Sequence, residues 1–115
     1  MPLLKVQTNQ TVEAGRRTEL LGELTAVIAE TLGKPPGYVQ VVLETGVPMA
    51  FGGTTEPTAL AELRSLGLPD AAPRALSARL GAVLERALGV PPARMFLVCA
   101  DHPRAHWGWN GDTFG

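Results

Sequence analysis

Chemistry in this 115-residue chain concentrates at its two ends and at one break in its helical pattern. Pro2 follows Met1, and methionine aminopeptidases remove an initiating methionine when the next side chain is small, as proline is. The product begins with a secondary amine. An α-amino group ordinarily has a pKa of about 7.7–8.0, and partial burial among apolar residues brings it toward or below neutrality by disfavouring the charged form. A free amine of that kind takes a proton from carbon beside a carbonyl and returns it elsewhere. Lys34 stands just past a helical stretch, where the helix dipole favours a cation by about 0.3–1 kcal/mol; the same ammonium would hold a carboxylate as a point charge. Trp107, Trp109 and Phe114 are half of the six aromatic residues in the chain. Such a cluster fills a core or subunit contact, or walls an apolar pocket for an aromatic ligand.

Other residues with chemical potential are poorly arranged. His102 and His106 have i,i+4 spacing, but Pro103 between them argues against the helix that a two-histidine metal site needs, so no metal is expected. Met49-Ala50-Phe51-Gly52-Gly53 carries two glycines without a phosphate-binding pattern, and no cofactor is expected. Cys99 is the single cysteine, which excludes an internal disulfide. It sits in an apolar run and reads as an inert packing residue. The net charge is −1 and the ten Lys+Arg are scattered, so neither nucleic acid nor an anionic membrane is an expected partner. No segment reads as a secretory signal or a membrane span, and the expected location is cytoplasmic.

The elements that must position these residues come from a duplication. Sliding the chain by 56 residues lays 20–44 on 76–100 with nine of 25 positions identical, where chance gives roughly two. Each copy has leucine and valine at helical spacing (Leu20, Leu24, Val27, Leu32; Leu76, Leu80, Val83, Leu88). Each helix then meets Gly33 or Gly89, followed by Pro-Pro, the pattern of a left-handed cap and a stop. Strands are expected at Leu3–Val6 and Tyr38–Glu44 around the first helix, and at Ala59–Leu63 and Met95–Ala100 around the second. The chain is therefore expected to be one α/β two-layer domain, 1–115, of pseudo-repeats 2–57 and 58–115. Two βαβ units form a four-stranded mixed sheet with both helices on one face. Met95–Ala100 is apolar throughout, as in a strand buried on both faces, which implies that another copy covers the second face. The copies differ where chemistry is expected: the 56-residue shift sets Pro2 against Thr58 and Lys34 against Val90.

Taken in order, these residues resemble the macrophage migration inhibitory factor / D-dopachrome tautomerase family of the tautomerase superfamily. The blocks that carry the resemblance are Met1-Pro2, Gly33-Lys34-Pro35-Pro36 with Tyr38, Met49 to Pro57, Ser65-Leu66-Gly67, and Gly108-Trp109-Asn110 with Thr113-Phe114. The resemblance implies a homotrimer with active sites at subunit boundaries and keto–enol tautomerisation of phenylpyruvate-like α-keto acids. Pro2 would be the general acid–base, Lys34 would pair with the substrate carboxylate, and the Leu66 backbone would add a hydrogen bond. Tyr38, Trp109 and Phe114 would line the pocket, joined by Phe96, Val98 and Trp107. The last three depart from the family: Phe96 lacks a tyrosine hydroxyl, Val98 replaces an asparagine, and Trp107 replaces a smaller apolar residue. The family's Cys-x-x-Cys is Thr58-Ala59-Leu60-Ala61 here, so thiol–disulfide chemistry is not carried over. The alternative implied is a cytokine-like binding or signalling protein on the same scaffold; no protein receptor is legible in the sequence.

Overall fold

In the segment Pro2–Thr8 every second residue faces one way, and that face (Pro2, Leu4, Val6, Thr8) is buried along its whole length in a computed structural model describing residues 1–115. This strand, β1, is followed by helix α1 (Ala14–Leu32), β2 (Gln40–Glu44), β3 (Ala59–Ser65), helix α2 (Ala72–Leu88) and β4 (Met95–Asp101). The sheet order is β2-β1-β3-β4, so the first strand is an interior one. β1 runs parallel to β2 and antiparallel to β3, and β3 runs parallel to β4. The expected mixed sheet of two βαβ units is thereby observed. A two-stranded hairpin, β5 (Gly108–Trp109) and β6 (Asp112–Thr113), is an addition the sequence reading did not anticipate.

Both helices cover the same face. Leu20, Leu24, Ile28 and Leu32 of α1 and Leu76, Leu80, Leu84 and Leu88 of α2 join Leu4, Val6, Ala61 and Leu63 in one core. The spacing of three or four residues places these leucines on a single stripe of each helix. Alanine at 59 and 61 leaves room for the helices to approach the centre of the sheet. The helices lie antiparallel and are linked at the surface by Arg79–Glu30, 2.7 Å, and Arg86–Glu23. Exposed pairs of this kind add little stability beside the buried leucines.

Each helix ends as expected. Gly33 and Gly89 are left-handed, with φ of 63° and 68°, and Pro36–Tyr38 and Pro92–Arg94 form equivalent short 3₁₀ turns. Tyr38 thus lies in a turn before β2, not in the expected strand, because the Val39 N–H bonds back to Pro36 O at 3.1 Å. The strand register corrects a second expectation. Pro2 pairs with Ser65 and Thr8 with Ala59, so the internal two-fold relates positions 57 apart on β1 and β3. The counterpart of Pro2 is therefore Ala59, not Thr58. Thr58 is a structural residue, buried, with its hydroxyl donating to Arg94 O at 2.6 Å and its carbonyl accepting from Thr8 Oγ1 at 2.8 Å.

The other face of the sheet is left open by the helices. Its centre is charged: Lys5, Glu62 and Arg64 on the inner strands, with Lys5 paired to Glu44 of β2 at 3.4 Å. Apolar side chains surround that centre: Leu3 and Leu60 on the inner strands, and Val42 on β2 and Phe96 and Val98 on β4, which are exposed. β4 is not buried on both faces in one chain: Met95, Leu97 and Cys99 pack against the core, whereas Phe96 and Val98 are 64% and 56% exposed. The reason is that both helices cover the same face of the sheet, so the side chains β4 presents to the other face have no layer over them within one chain. Burial raises the Cys99 thiol pKa, consistent with a packing role.

At both helix caps an added Cβ would meet nothing within 4 Å, so the penalty of a side chain is purely conformational. Gly33→Ala and Gly89→Ala are each expected to lower unfolding stability by about 1–2 kcal/mol, read as a shifted urea midpoint at unchanged slope. A neutral result at either would refute the left-handed cap there.

Candidate active site

Because β1 is flanked on both sides, the beginning of the chain is held inside the fold. Pro2 pairs with Ser65 of β3, Leu3 pairs with Gln40 of β2, and the Pro2 side chain is fully buried. Two cavities open beside it. One, of about 340 Å³, is lined by Met1, Pro2, Tyr38, Gln40, Trp107 and Trp109, among others. The other, of about 450 Å³, is lined by Met1, Lys34, Leu66, Gly67, Arg104 and Phe114. Met1 lines both, so the two cavities flank the first peptide bond.

The cationic side is built by the end of α1. Its cap turns the chain through Gly33, and the Lys34 N–H closes the turn on Ala29 O at 3.0 Å. The Lys34 side chain makes no ion pair and lies half-buried, whereas its counterpart in the second unit, Val90, is completely buried. One scaffold position is therefore core in one unit and a cation beside a cavity in the other. Burial first, and the Lys34 charge second, hold the Met1 α-amino group below its ordinary value. Both effects disfavour the protonated amine. Leu66 continues from β3 and is buried, while Gly67 donates its N–H to Asp101 Oδ1 at 3.0 Å.

The aromatic side comes from the C-terminal segment. After β4, His102 N–H bonds to Ser65 O at 2.9 Å, and a 3₁₀ turn at Arg104–His106 leads into the hairpin. Asn110 and Gly111, with φ of 53° and 79°, make its turn; asparagine and glycine tolerate that region. The hairpin sets Trp109 against Phe114 in a stacked pair at 6.0 Å and edge-on to Tyr38 at 5.9 Å. Trp107 packs edge-on to His102 at 5.8 Å. His102 and His106 do not form a metal-ligand group with other residues.

Of the nine sequence-derived site residues, Pro2, Lys34, Tyr38, Leu66, Trp107, Trp109 and Phe114 line these two cavities. Phe96 and Val98 do not. Phe96 pairs with Leu60, five positions along β4 from Asp101, which lies level with Pro2 across β3; at about 3.3 Å per residue that is roughly 16 Å. Phe96 instead meets Phe51 at 5.0 Å, beside a third cavity of about 470 Å³. The 51–57 loop there is pinned by Arg94, which bonds the carbonyls of Phe51, Thr54, Glu56 and Pro57 at 2.9–3.2 Å. Sequence reasoning missed Arg104 altogether. Nothing local marks it, since its approach to Lys34 depends on β4 returning the chain to the Pro2 end of the sheet.

Titration of the Met1 amine by NMR is expected to show a midpoint below about 8, rising in Lys34→Ala but remaining depressed because burial is the larger cause. With the amine depressed in the folded chain, the unfolded chain binds more protons between the folded midpoint and about 8, so this group makes stability rise with pH across that window. A midpoint unmoved by Lys34→Ala would show that the two groups do not interact.

Comparison with known proteins follows the same residues from end to end. The family model described as Macrophage migration inhibitory factor (MIF) matches residues 1–115. The macrophage migration inhibitory factor of Rattus norvegicus is 36% identical over 115 residues, covering 99% of both chains. The crystal structure of a macrophage migration inhibitory factor homologue from Prochlorococcus marinus superposes with a TM-score of 0.92 at 40% identity, over 98% of this chain and 99% of that one. The structure of the macrophage migration inhibitory factor from Trichinella spiralis gives 0.87 at 32% identity, over 97% and 99%. Matched along its full length in sequence and in fold, the chain belongs to the macrophage migration inhibitory factor family.

Proposed function

We propose that this protein is a keto–enol tautomerase of phenylpyruvate-like α-keto acids, with the Pro2 amine, freed by loss of Met1, as its general acid–base. The observation that carries the reading is the position of the Met1–Pro2 peptide between an unpaired lysine on one side and a tyrosine and two tryptophans on the other. An amide nitrogen there is not basic. Once Met1 is gone, the same nitrogen is a secondary amine in the surroundings that already depress the Met1 amine, and a larger share of it is unprotonated at neutral pH. Its lone pair removes a proton from the carbon next to the substrate carbonyl, and the proton is returned to the oxygen as the enol forms; ketonisation is the reverse.

Lys34 binds the substrate carboxylate, and the Leu66 backbone N–H adds a hydrogen bond beside it. Tyr38, Trp107, Trp109 and Phe114 receive the aromatic ring. The working unit in this reading is a homotrimer. β2 and β4 are both unpaired edges, and long open edges invite strand or side-chain contacts with another copy. Phe96 and Val98, exposed on β4 and far from Pro2 in their own chain, then complete the pocket of a neighbouring copy. With phenylalanine and valine at those positions, that wall of the pocket offers apolar contact and no hydrogen bond.

The test is the ketonisation of enol-phenylpyruvate by protein whose loss of Met1 is verified by mass. Pro2→Gly, which keeps a terminal amine but loses the ring, should lower kcat/KM by at least about tenfold. Lys34→Ala should act chiefly by raising KM, and protein retaining Met1 should be inactive. Sedimentation should give three times the chain mass. A verified trimer with a free Pro2 and activity no better than buffer would overturn the assignment.

A further inference from the structure

Two arginines near the ends of the sheet are used differently. Arg94 is consumed by structure: its three guanidinium nitrogens bond four backbone carbonyls and its charge lies 5.5 Å over the Phe51 ring. Arg104 is anchored at one point only. Its Nε donates to Phe114 O at 3.0 Å and its guanidinium lies 5.9 Å from the centre of the Phe114 ring. Both terminal nitrogens are left without a partner in the chain. That single anchor holds the fork against the cavity it shares with Lys34, Leu66 and Gly67.

Neither cation on this cavity is neutralised. The ion pairs in the chain are Lys5–Glu44, Arg79–Glu30 and Arg86–Glu23, all elsewhere. Asp101 turns one oxygen to the Gly67 N–H at 3.0 Å, one Gly115 oxygen accepts from the Thr113 hydroxyl at 2.9 Å, and neither residue forms an ion pair with Lys34 or Arg104. Two like charges on one cavity of about 450 Å³ repel each other, and a ligand carrying two anionic groups relieves that repulsion while satisfying both donors. The two are also chemically matched to different contacts: a lysine ammonium as a point charge and an arginine fork for a bidentate carboxylate.

We propose that Arg104 is a specificity-determining residue that binds a second carboxylate, so that the cavity takes short 2-oxo diacids in addition to monoacids. This deepens the tautomerase reading by naming a substrate class, but its test does not need turnover. Succinate and butyrate have the same four carbons and differ by one carboxylate in place of a methyl group. Their binding to the assembled protein lacking Met1 can be followed by NMR at the indole N–H groups of Trp107 and Trp109.

Succinate should bind at least about tenfold more tightly than butyrate, the difference expected of one charge-assisted bidentate contact. Arg104→Gln keeps an N–H for Phe114 O but removes the charge, and should bring the two affinities within about twofold; Arg104→Lys restores the charge and should recover part of the preference. Equal affinities in the unaltered protein, or a preference that Arg104→Gln does not reduce, would overturn the inference. Enol-phenylpyruvate and enol-oxaloacetate separate it from the reading it rests on. No turnover of either with the succinate preference intact overturns the tautomerase alone, and turnover of the first with no succinate preference overturns only the role of Arg104.

Discussion

The candidate site depends on β1 being hydrogen-bonded on both sides. A chain terminus is ordinarily the least constrained part of a fold, free to fray because little holds it. Here the strand that begins at Pro2 lies between β2 and β3 and buries alternate residues under both helices. The cost of ordering the terminus is met by the ladder and the core, not by a ligand. A reacting nitrogen placed at such a point would be held by the sheet itself, and its protonation would be governed by the burial and the lysine around it. Every other part of the site is arranged about that fixed point: the α1 cap on one side, the Tyr38 turn on another, and the returning chain after β4 on the third.

The second organising feature is an internal symmetry that is broken where the cavities lie. The two βαβ units share the leucine stripes that form the core, where loss of packing penalises change, and the glycine caps and proline-led turns that end each helix. They differ where the first unit borders the cavities. Lys34 replaces the buried Val90, Pro2 replaces Ala59, and only the second unit carries a C-terminal hairpin. One end of the sheet consequently gathers cations and aromatic rings, while its opposite end is closed by Arg94 and the 51–57 loop. The open face combines a charged centre, Lys5, Glu62 and Arg64, with Val42, Phe96 and Val98 exposed on its edge strands.

Much of the fold was legible because its signals are local. Leucine spacing, a glycine cap and a following Pro-Pro each act within a few residues, and the duplication displayed them twice. The register was less legible. Identities in the helices and the proline turns set the copies 56 apart, but the first strands offer a single leucine match at either offset, Leu4/Leu60 at 56 or Leu3/Leu60 at 57, and their ends lie 57 apart. That difference of one moved the counterpart of Pro2 from Thr58 to Ala59. The apolar run Met95–Ala100 shows a second limit: composition reports how apolar a strand is, not whether it lies at an edge or what covers its second face.

By itself, then, the sequence determined the two βαβ units, their helical core and the identity of the residues able to do chemistry, since those properties follow from side-chain type and short-range spacing. Tertiary structure alone decided which of those residues meet. It made β1 interior, separated Phe96 and Val98 from Pro2 along the sheet, and brought Arg104 back to Lys34 across seventy positions of chain. The physical reason is that strand order and register are long-range pairings, selected by the burial of whole faces, and no window of neighbouring residues contains that information.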